Sequence, residues 1–229
     1  MTSPGSGIAR WKDLCIDAVD PGLLGPFWAA ALGLTDEALE DGDHALTGPT
    51  PEHRVWINRV AEPVTVKQRV HLDIHVASIA DVQALGAARV TAPGELPWTV
   101  MRDPEGGELC AFVRDDPPAL RLYEIGVDTA DPARIAQWWA EVFGAIKVDD
   151  PSGYSYIERI PGAPFESIDF ATVPEPKTVK NRIHWDVVGS VADLVAAGAR
   201  VVRARDDEIS WTVMADPDGN EFCAFEPPA

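Results

Sequence analysis

Cysteine is scarce in this chain of 229 residues, which contains only Cys15, Cys110 and Cys223, and no two of these form a CxxC pair. Three widely spaced cysteines cannot build a disulfide framework, and thiols of this kind are typical of proteins in a reducing compartment. The sequence therefore predicts free thiols and a cytoplasmic location.

Basic residues are also few. The sequence contains 19 lysines and arginines and 37 acidic residues, which gives a net charge of -18. A chain of this charge repels a polyphosphate backbone, so we expect no nucleic-acid partner. No apolar run approaches the roughly 18 residues that a membrane span requires, and the first ten residues contain no apolar signal-peptide segment. We therefore expect no membrane partner either.

An internal repeat is the most prominent feature that the sequence does contain. WTVMRDPEGGELCAF, from Trp98, and WTVMADPDGNEFCAF, from Trp211, agree at 11 of their 15 positions. The strand-like stretch RVHLDIHV around His71 recurs 113 residues later as RIHWDVVG around His184. Nearer the start of each copy the spacing is 111 residues. Self-similarity over this length indicates a duplicated unit.

The boundary between the copies falls in a polar, proline-rich stretch, RDDPPA, which begins at Arg114. Such a composition is typical of a linker. We therefore predict two homologous domains, residues 10–114 and 120–229, joined by a linker at 115–119. A fused duplicate carries its own partner, so we expect a monomer that acts as a pseudo-dimer, or a homodimer.

Each copy has the same predicted order of secondary structure. A short alternating run predicts a first strand, and a DP dipeptide then opens an amphipathic helix, as at Asp131 and Pro132. Further strands follow, then the RVHLDIHV or RIHWDVVG strand, a short helix capped by Ser78 or Ser190, and a closing hairpin with a DPxG turn. This order predicts an α+β fold.

Several of these motifs together resemble the vicinal oxygen chelate superfamily of glyoxalases, bleomycin-resistance proteins and extradiol dioxygenases. The resemblance rests on FWAAALGL, RVAEPVTVKQRVHLD, TVPEPKTVKNRIHWD and the two WTVM hairpins, and it is closest to the branch of glyoxalase-like domains. It implies tandem duplicated domains, each with two βαβββ modules that form a cup-shaped sheet. It does not fix an activity, because this fold hosts enzymes and plain binding proteins.

The resemblance also implies positions for a metal ion, which metal-dependent members bind with side chains from four strands. Those positions are Asp13, Asn58, His71 and Cys110 in the first domain, and Glu124, Ala171, His184 and Cys223 in the second. Cysteine replaces the usual last-strand glutamate in both copies, so we expect no complete catalytic metal site and no certain cofactor. The alternative is one divalent ion, zinc, nickel, manganese or iron, on ligands drawn from Glu124, His184, Cys223 and His71.

Two structural interpretations stand beside the metal-binding one. Period-two alternation places each histidine on the same strand face as the following aspartate, Asp73 or Asp186. Each histidine could then be held by that aspartate in a structural seam between modules. Each strand cysteine could be a small buried apolar side chain.

Candidate ligand-binding residues are mainly aromatic. Flat tryptophan rings would suit an aromatic or polyketide-like ligand. A carboxylate and a phenyl ring beside the tryptophans would add a polar anchor and a further apolar surface. The candidates are Trp56, Trp98, Trp185, Trp211, Asp128 and Phe225. We assign the helical tryptophans Trp28, Trp138 and Trp139 to the core.

Two functions follow. The first is a module that binds a small organic molecule, ligand or substrate, in a cup-shaped cleft without a complete catalytic metal site. The alternative is a divalent-metal-dependent lyase or isomerase of the glyoxalase type, acting through an enediolate, with Glu124 and His184 as catalytic residues. Under either hypothesis we expect Glu124, His184 and Cys223 to meet in one cup, in the second domain or shared with the first.

Overall fold

The computed structural model describes residues 6–228, and within them four modules repeat one order: strand, helix and three further strands. Module 1 (residues 9–59) comprises β1 (Ala9–Ala18), α1 (Pro21–Leu32), β2 (Thr35–Ala38), β3 (His44–Thr47), a 3-10 turn (Pro51–His53) and β4 (Val55–Arg59). Module 2 (residues 70–113) comprises β5 (Val70–Val76), α2 (Ile79–Ala84), β6 (Ala88–Arg89), β7 (Thr99–Arg102) and β8 (Glu108–Val113).

The second half of the chain repeats this arrangement. Module 3 (residues 122–172) comprises β9 (Leu122–Thr129), α3 (Pro132–Phe143), β10 (Ile146–Asp149), β11 (Ser155–Glu158) and β12 (Ser167–Thr172). Module 4 (residues 183–225) comprises β13 (Ile183–Gly189), α4 (Val191–Ala196), β14 (Arg200–Arg203), β15 (Thr212–Ala215) and β16 (Glu221–Phe225). The predicted α+β duplication is confirmed.

Local sequence signals fix the ends of the helices, and the caps at Asp131, Ser78 and Ser190 are those predicted. The side chain of Asp131 accepts a hydrogen bond from the third residue of α3, and Ser78 and Ser190 cap the two short helices in the same way. The two long helices end at Gly33 and Gly144, which adopt φ of 75° and 68°. Glycine tolerates this left-handed conformation at a helix end better than other residues do.

The modules assemble into two sheets of eight strands, and each sheet takes one module from each half of the chain. The first sheet has the order β14-β15-β16-β13-β1-β4-β3-β2, which joins modules 1 and 4. The second has the order β10-β11-β12-β9-β5-β8-β7-β6, which joins modules 2 and 3. At the centre of each sheet, β1 pairs antiparallel with β13, and β5 with β9. Each cup therefore combines one module from each half of the chain, and not the two modules of one sequential domain as the resemblance implied.

Ion pairs between the two halves of the chain reinforce the pairing of their modules. Lys67 of the first half pairs with Asp128 on β9, and its counterpart Lys180 pairs with Asp17 on β1. The loops that carry these lysines, residues 60–69 and 173–182, border a cavity of about 720 Å³. The lysine of each repeated K-x-R-x-H string thus binds the first strand of the opposite half.

The apolar faces of the sheets and helices form one core. Trp28 and Trp139 are fully buried and Trp138 nearly so, as predicted for the helical tryptophans. The Trp139 ring packs edge-on against Trp185 and Phe222, with ring centroids 4.9 and 5.2 Å away. Among the described residues, no helix combines the length and apolar character that crossing a membrane would require.

Because each sheet takes one module from each half of the chain, we predict that neither half folds alone as a monomer. A fragment of residues 6–116 leaves β1 and β5 without the central partners that they have in the intact chain, and unpaired strand edges favour association. We expect this fragment to be unfolded or self-associated, and mixing it with residues 117–228 to restore a one-to-one complex. Circular dichroism and light scattering after size exclusion would measure this. A monomeric fragment 6–116 with cooperative unfolding would contradict the prediction.

Candidate functional site

The polar faces of the two sheets are the candidate sites. We call the face that carries Asp13, Cys15, His184, Asp186 and Cys223 the first cup. We call the face of the second sheet that carries His71, Asp73, Cys110, Glu124 and Asp169 the second cup.

A β-bulge at the central strand pair shapes each cup. The register shifts between Trp11 and Asp13 on β1, and between Glu124 and Leu122 on β9. A bulge turns two successive side chains to one face of a sheet. Lys12 therefore joins Asp13 in the first cup, where its ammonium lies 2.6 Å from the carboxylate, and Tyr123 joins Glu124 in the second.

The histidine of the second cup is held by its neighbours. His71 Nε2 lies 3.1 Å from Asp73 Oδ1. His71 lies across the strand pair from Gly126, where an added Cβ would come within 2.3 Å of the imidazole ring. Glycine at this position therefore leaves the space that the ring occupies. Cys110 completes the group, because its sulfur and the donor atoms of His71 and Asp73 all lie within 4.8 Å of one another.

The second cup contains one cationic group and two carboxyl groups whose pKa values lie near neutrality. Burial alone would lower the pKa of His71, but Asp73 and Cys110 outweigh it and raise that pKa well above its ordinary value. Burial raises the pKa of Glu124 to about 7, with Asp73 adding to the shift and the Ser167 hydroxyl, which donates to Glu124 over 2.7 Å, opposing it. Burial and Asp73 raise the pKa of Asp169 to about 7 as well.

Aromatic side chains form the walls of the second cup. His75 and Tyr123 are stacked with centroids 4.4 Å apart, and Trp98 is stacked on Phe112 at 5.8 Å. Phe112 also meets Tyr123 edge-on at 5.3 Å. These rings are partly exposed, as are His71, Glu124 and Asp169. The polar groups of the second cup are therefore partly accessible to solvent.

The first cup is closed by larger side chains. Trp56 occupies the register position that Asp169 has in the second cup, and its indole N–H donates to Asp13 over 3.1 Å. The Lys12 ammonium lies 4.0 Å from the centroid of the Phe225 ring. Asp13 and His184 are only 4% and 8% exposed, whereas their counterparts Glu124 and His71 are partly open.

Thiol, imidazole and carboxylate groups meet below this cover. Cys15 Sγ lies 3.7 Å from Asp186 Oδ1, and Cys223 Sγ lies 3.6 Å from His184 Nε2. His184 Nε2 is 3.9 Å from Asp186 Oδ1. Burial, with a contribution from Lys180, lowers the pKa of His184 to about 3, so this imidazole is neutral. Burial also raises the pKa of both thiols.

The expected meeting of Glu124 with His184 and Cys223 is wrong. Glu124 lies on β9 in the second sheet beside His71 and Asp73, whereas β13 and β16 carry His184 and Cys223 in the first sheet. The reason is the pairing of modules: module 3 joins module 2, and module 4 joins module 1. His71 therefore lies beside β9 of the second half, and His184 beside β1 of the first half. In two sequential domains, each histidine would lie beside the first strand of its own half.

The aromatic candidates also separate. Trp98 lies in the second cup, and Trp56, Trp211 and Phe225 lie in the first, where Trp211 stacks on Phe225 at 5.6 Å. Trp185 does not line a cleft: its side chain lies on the opposite face of β13 from His184, packed in the core with 1% exposed. That assignment is corrected. Asp128 is buried and paired with Lys67.

Sequence analysis did not single out Asp169, Lys12 and Tyr123 as residues of the cups. Asp169 stands two positions before Ala171, on the same strand face, so alternation along SIDFAT could have found it. Lys12 and Tyr123 lie at the bulges, and period-two alternation assigns both to the wrong face. No local signal in the sequence marks those bulges.

Comparison with known proteins identifies the fold. Solved structures that resemble the chain include glyoxalase I from Zea mays, with a TM-score of 0.65, 13% identity and coverage of 95% of this chain and 92% of that one. Another is a putative dioxygenase from Bacillus subtilis, with a TM-score of 0.61, 14% identity and coverage of 98% and 87%. Identities this low support the fold alone.

Sequence comparison gives the family. No curated protein matches the sequence significantly. The profile of the glyoxalase-like domain matches twice, over residues 13–112 and 124–225. The chain therefore belongs to the family of glyoxalase-like domains in the vicinal oxygen chelate superfamily, and it carries two copies of that domain.

Proposed function

We propose that the second cup binds a small aromatic molecule that is neutral or cationic. The observation that carries this proposal is the pair of partly exposed carboxyls, Glu124 and Asp169, which face the His71–Asp73 pair beneath aromatic walls. Three carboxyl groups stand here against one imidazolium, so an anionic ligand would be repelled.

The walls support the aromatic part of the proposal. Stacked and edge-on rings such as Trp98, Phe112 and Tyr123 present flat apolar surfaces, which favour a planar ligand. An ammonium group on the ligand would gain both from the ring faces and from the carboxylates. A neutral phenol or amide could instead donate a hydrogen bond to Glu124.

Glu124 is the residue that would anchor the polar end of the ligand. The Ser167 hydroxyl donates to one of its oxygens and fixes its orientation. A carboxyl group with a pKa of about 7 is both acceptor and donor near neutrality, so it could also move a proton. Binding requires only its hydrogen-bonding role, and we therefore propose a binding function.

The alternative, a metal-dependent lyase or isomerase, needs side chains in the same cup that can coordinate a divalent metal ion. His71, Asp73 and Cys110 bring three donors within 4.8 Å of one another, and Glu124, the proposed catalytic carboxyl, is not part of that group. A metal ion would have to displace the proton of the His71–Asp73 pair. Glu124 as a proton carrier is the feature that still favours this alternative.

Trp98 and its counterpart Trp211 provide a matched test. We expect phenylalkylamines and uncharged phenols to bind, and Trp98→Ala to weaken binding by about tenfold, roughly 1.4 kcal/mol, because one wall is lost. Saturation-transfer NMR on the full chain would detect binding, and titration would give affinities. Trp211→Ala should leave them unchanged. Stronger binding of matched aromatic carboxylates, or equal losses in both variants, would contradict the proposal.

The pKa of Glu124 predicts a pH-dependent effect of Glu124→Gln. Because burial raises the pKa in the folded state from 4.5 to about 7, the stability contributed by protonated Glu124 is present at low pH and is lost as pH rises from about 4.5 to about 7. Glutamine mimics the protonated form. We expect the gain in free energy of unfolding from Glu124→Gln to grow by about 2 kcal/mol between pH 5 and pH 8.

Urea denaturation at several pH values would measure this gain. Asp73, Asp169 and His71 face Glu124 and are present in both proteins, so the difference between the two curves isolates the replacement of Glu124. Glu37→Gln, at an exposed position of edge strand β2, is the matched control and should show no such trend. A gain that is constant with pH, or larger at pH 5, would contradict the assignment.

A further inference from the structure

A second pair of aromatic side chains lies on the second sheet, on the side away from Trp98 and Phe112. Tyr154 and Tyr156 are stacked with ring centroids 6.2 Å apart. Tyr154 directly precedes β11 and is 37% exposed, and Tyr156 is a partly exposed residue of β11. We call these two residues the tyrosine wall, and Trp98 with Phe112 the tryptophan wall. The proposed function assigns no role to the tyrosine wall.

The register of the strands places the tyrosine wall on the face of the second cup. Tyr156 pairs with Asp169 on β12, and Asp169 pairs with Gly126 on β9. Gly126 in turn pairs with His71 on β5, so these four residues form one row across the sheet. Ile157, the next residue of β11, is fully buried in the core. Because side chains alternate along a strand, Tyr156 faces the cup.

Carboxyl groups lie between the two aromatic walls. Glu124 is on β9, and Asp169 is on the neighbouring strand β12. β9 lies two strands from β8, which carries Phe112, and two strands from β11, which carries Tyr156. Two strand spacings amount to about 9.5 Å. The acidic centre of the second cup is therefore bordered by aromatic rings on both sides, within the reach of a small molecule.

The first cup lacks this arrangement. Ala45 pairs with Trp56 on the neighbouring strand, in the way that Tyr156 pairs with Asp169. The large ring of the first cup thus stands next to the central strands, and the position beyond it carries a buried alanine. In the second cup a carboxyl group stands next to the central strands, and the large ring lies one strand further out. Both differences widen the space between the aromatic side chains.

We propose that the ligand of the second cup carries two aromatic rings joined through a protonated amine. One ring would lie on the tryptophan wall and the other on the tyrosine wall, with the ammonium between Glu124 and Asp169. Such a cation is attracted both by the carboxylates and by the faces of the rings. The inference rests on the proposed function, to which it adds the second ring and the position of the charge.

A pair of amines that differ by one ring tests the inference on the full chain. At pH 8 both carboxyl groups are mostly ionised, since their pKa values are about 7. We expect bis(2-phenylethyl)amine to bind about tenfold more tightly than 2-phenylethylamine, and the uncharged bis(2-phenylethyl) ether to bind about tenfold more weakly than the two-ring amine. Equal affinities of the two amines would overturn the inference and leave the proposed function standing. Absence of binding by both amines would overturn both.

Matched variants locate the second ring. The double variant Tyr154→Ala, Tyr156→Ala should lose the tenfold advantage of the two-ring amine and bind 2-phenylethylamine as before. Tyr156→Phe keeps the ring and should keep the advantage. Retention of the full advantage in the double variant would refute the inference, because the second ring would then lie elsewhere.

The unaltered protein provides a test that does not depend on the folding of a variant. In protein with isotope-labelled tyrosine, the bound two-ring amine should show nuclear Overhauser effects from one of its rings to the ring protons of Tyr154 or Tyr156. 2-Phenylethylamine, which has a single ring, should show weaker effects there. A bound two-ring amine that contacts neither tyrosine would contradict the inference.

Discussion

Antiparallel pairing of β1 with β13, and of β5 with β9, is the interaction on which the rest of the structure depends. Each pair brings the first strand of one module against the first strand of a module from the other half. The polar side chains of both cups lie on these four strands and on their direct neighbours. The position of every candidate donor therefore follows from which modules pair, and less from its place within a domain.

Duplication gave two cups with the same strand arrangement, and a few differences in amino acid between equivalent positions made the cups chemically different. Cys15 in the first cup is replaced by Gly126 in the second, which leaves space for the imidazole of His71. Trp56 in the first cup is replaced by Asp169, which removes a cover and adds a carboxyl. One cup thereby became a buried donor cluster, and the other a partly exposed group of carboxyls with aromatic neighbours.

Much of the fold could be predicted from the sequence because the signals are local and occur twice. Helix caps such as Asp131 and Ser190, the alternation around His71 and the DPxG hairpins each determine structure over a few residues. The grouping of Glu124 with His71 could not be predicted in this way. Repetition makes the four modules nearly equivalent, so either pairing of them satisfies the same pattern.

The cup faces were predictable only where the strands are regular. Alternation placed His184 beside Asp186, and the same rule places Trp185 in the core, where it lies. At Lys12 and Tyr123 the strands bulge, and a period of two fails. Bulges arise from long-range pairing, so no short stretch of sequence reports them.

The nested order of the modules has a consequence for the chain during synthesis. Modules 2 and 3 are consecutive, so the second sheet has all its strands once residue 172 has been made. The first sheet needs module 4, and β1 must wait until β13 emerges more than 160 residues later. Since domains generally form as their segments are completed, the inner sheet should assemble on the ribosome while the N-terminal module still lacks its partner.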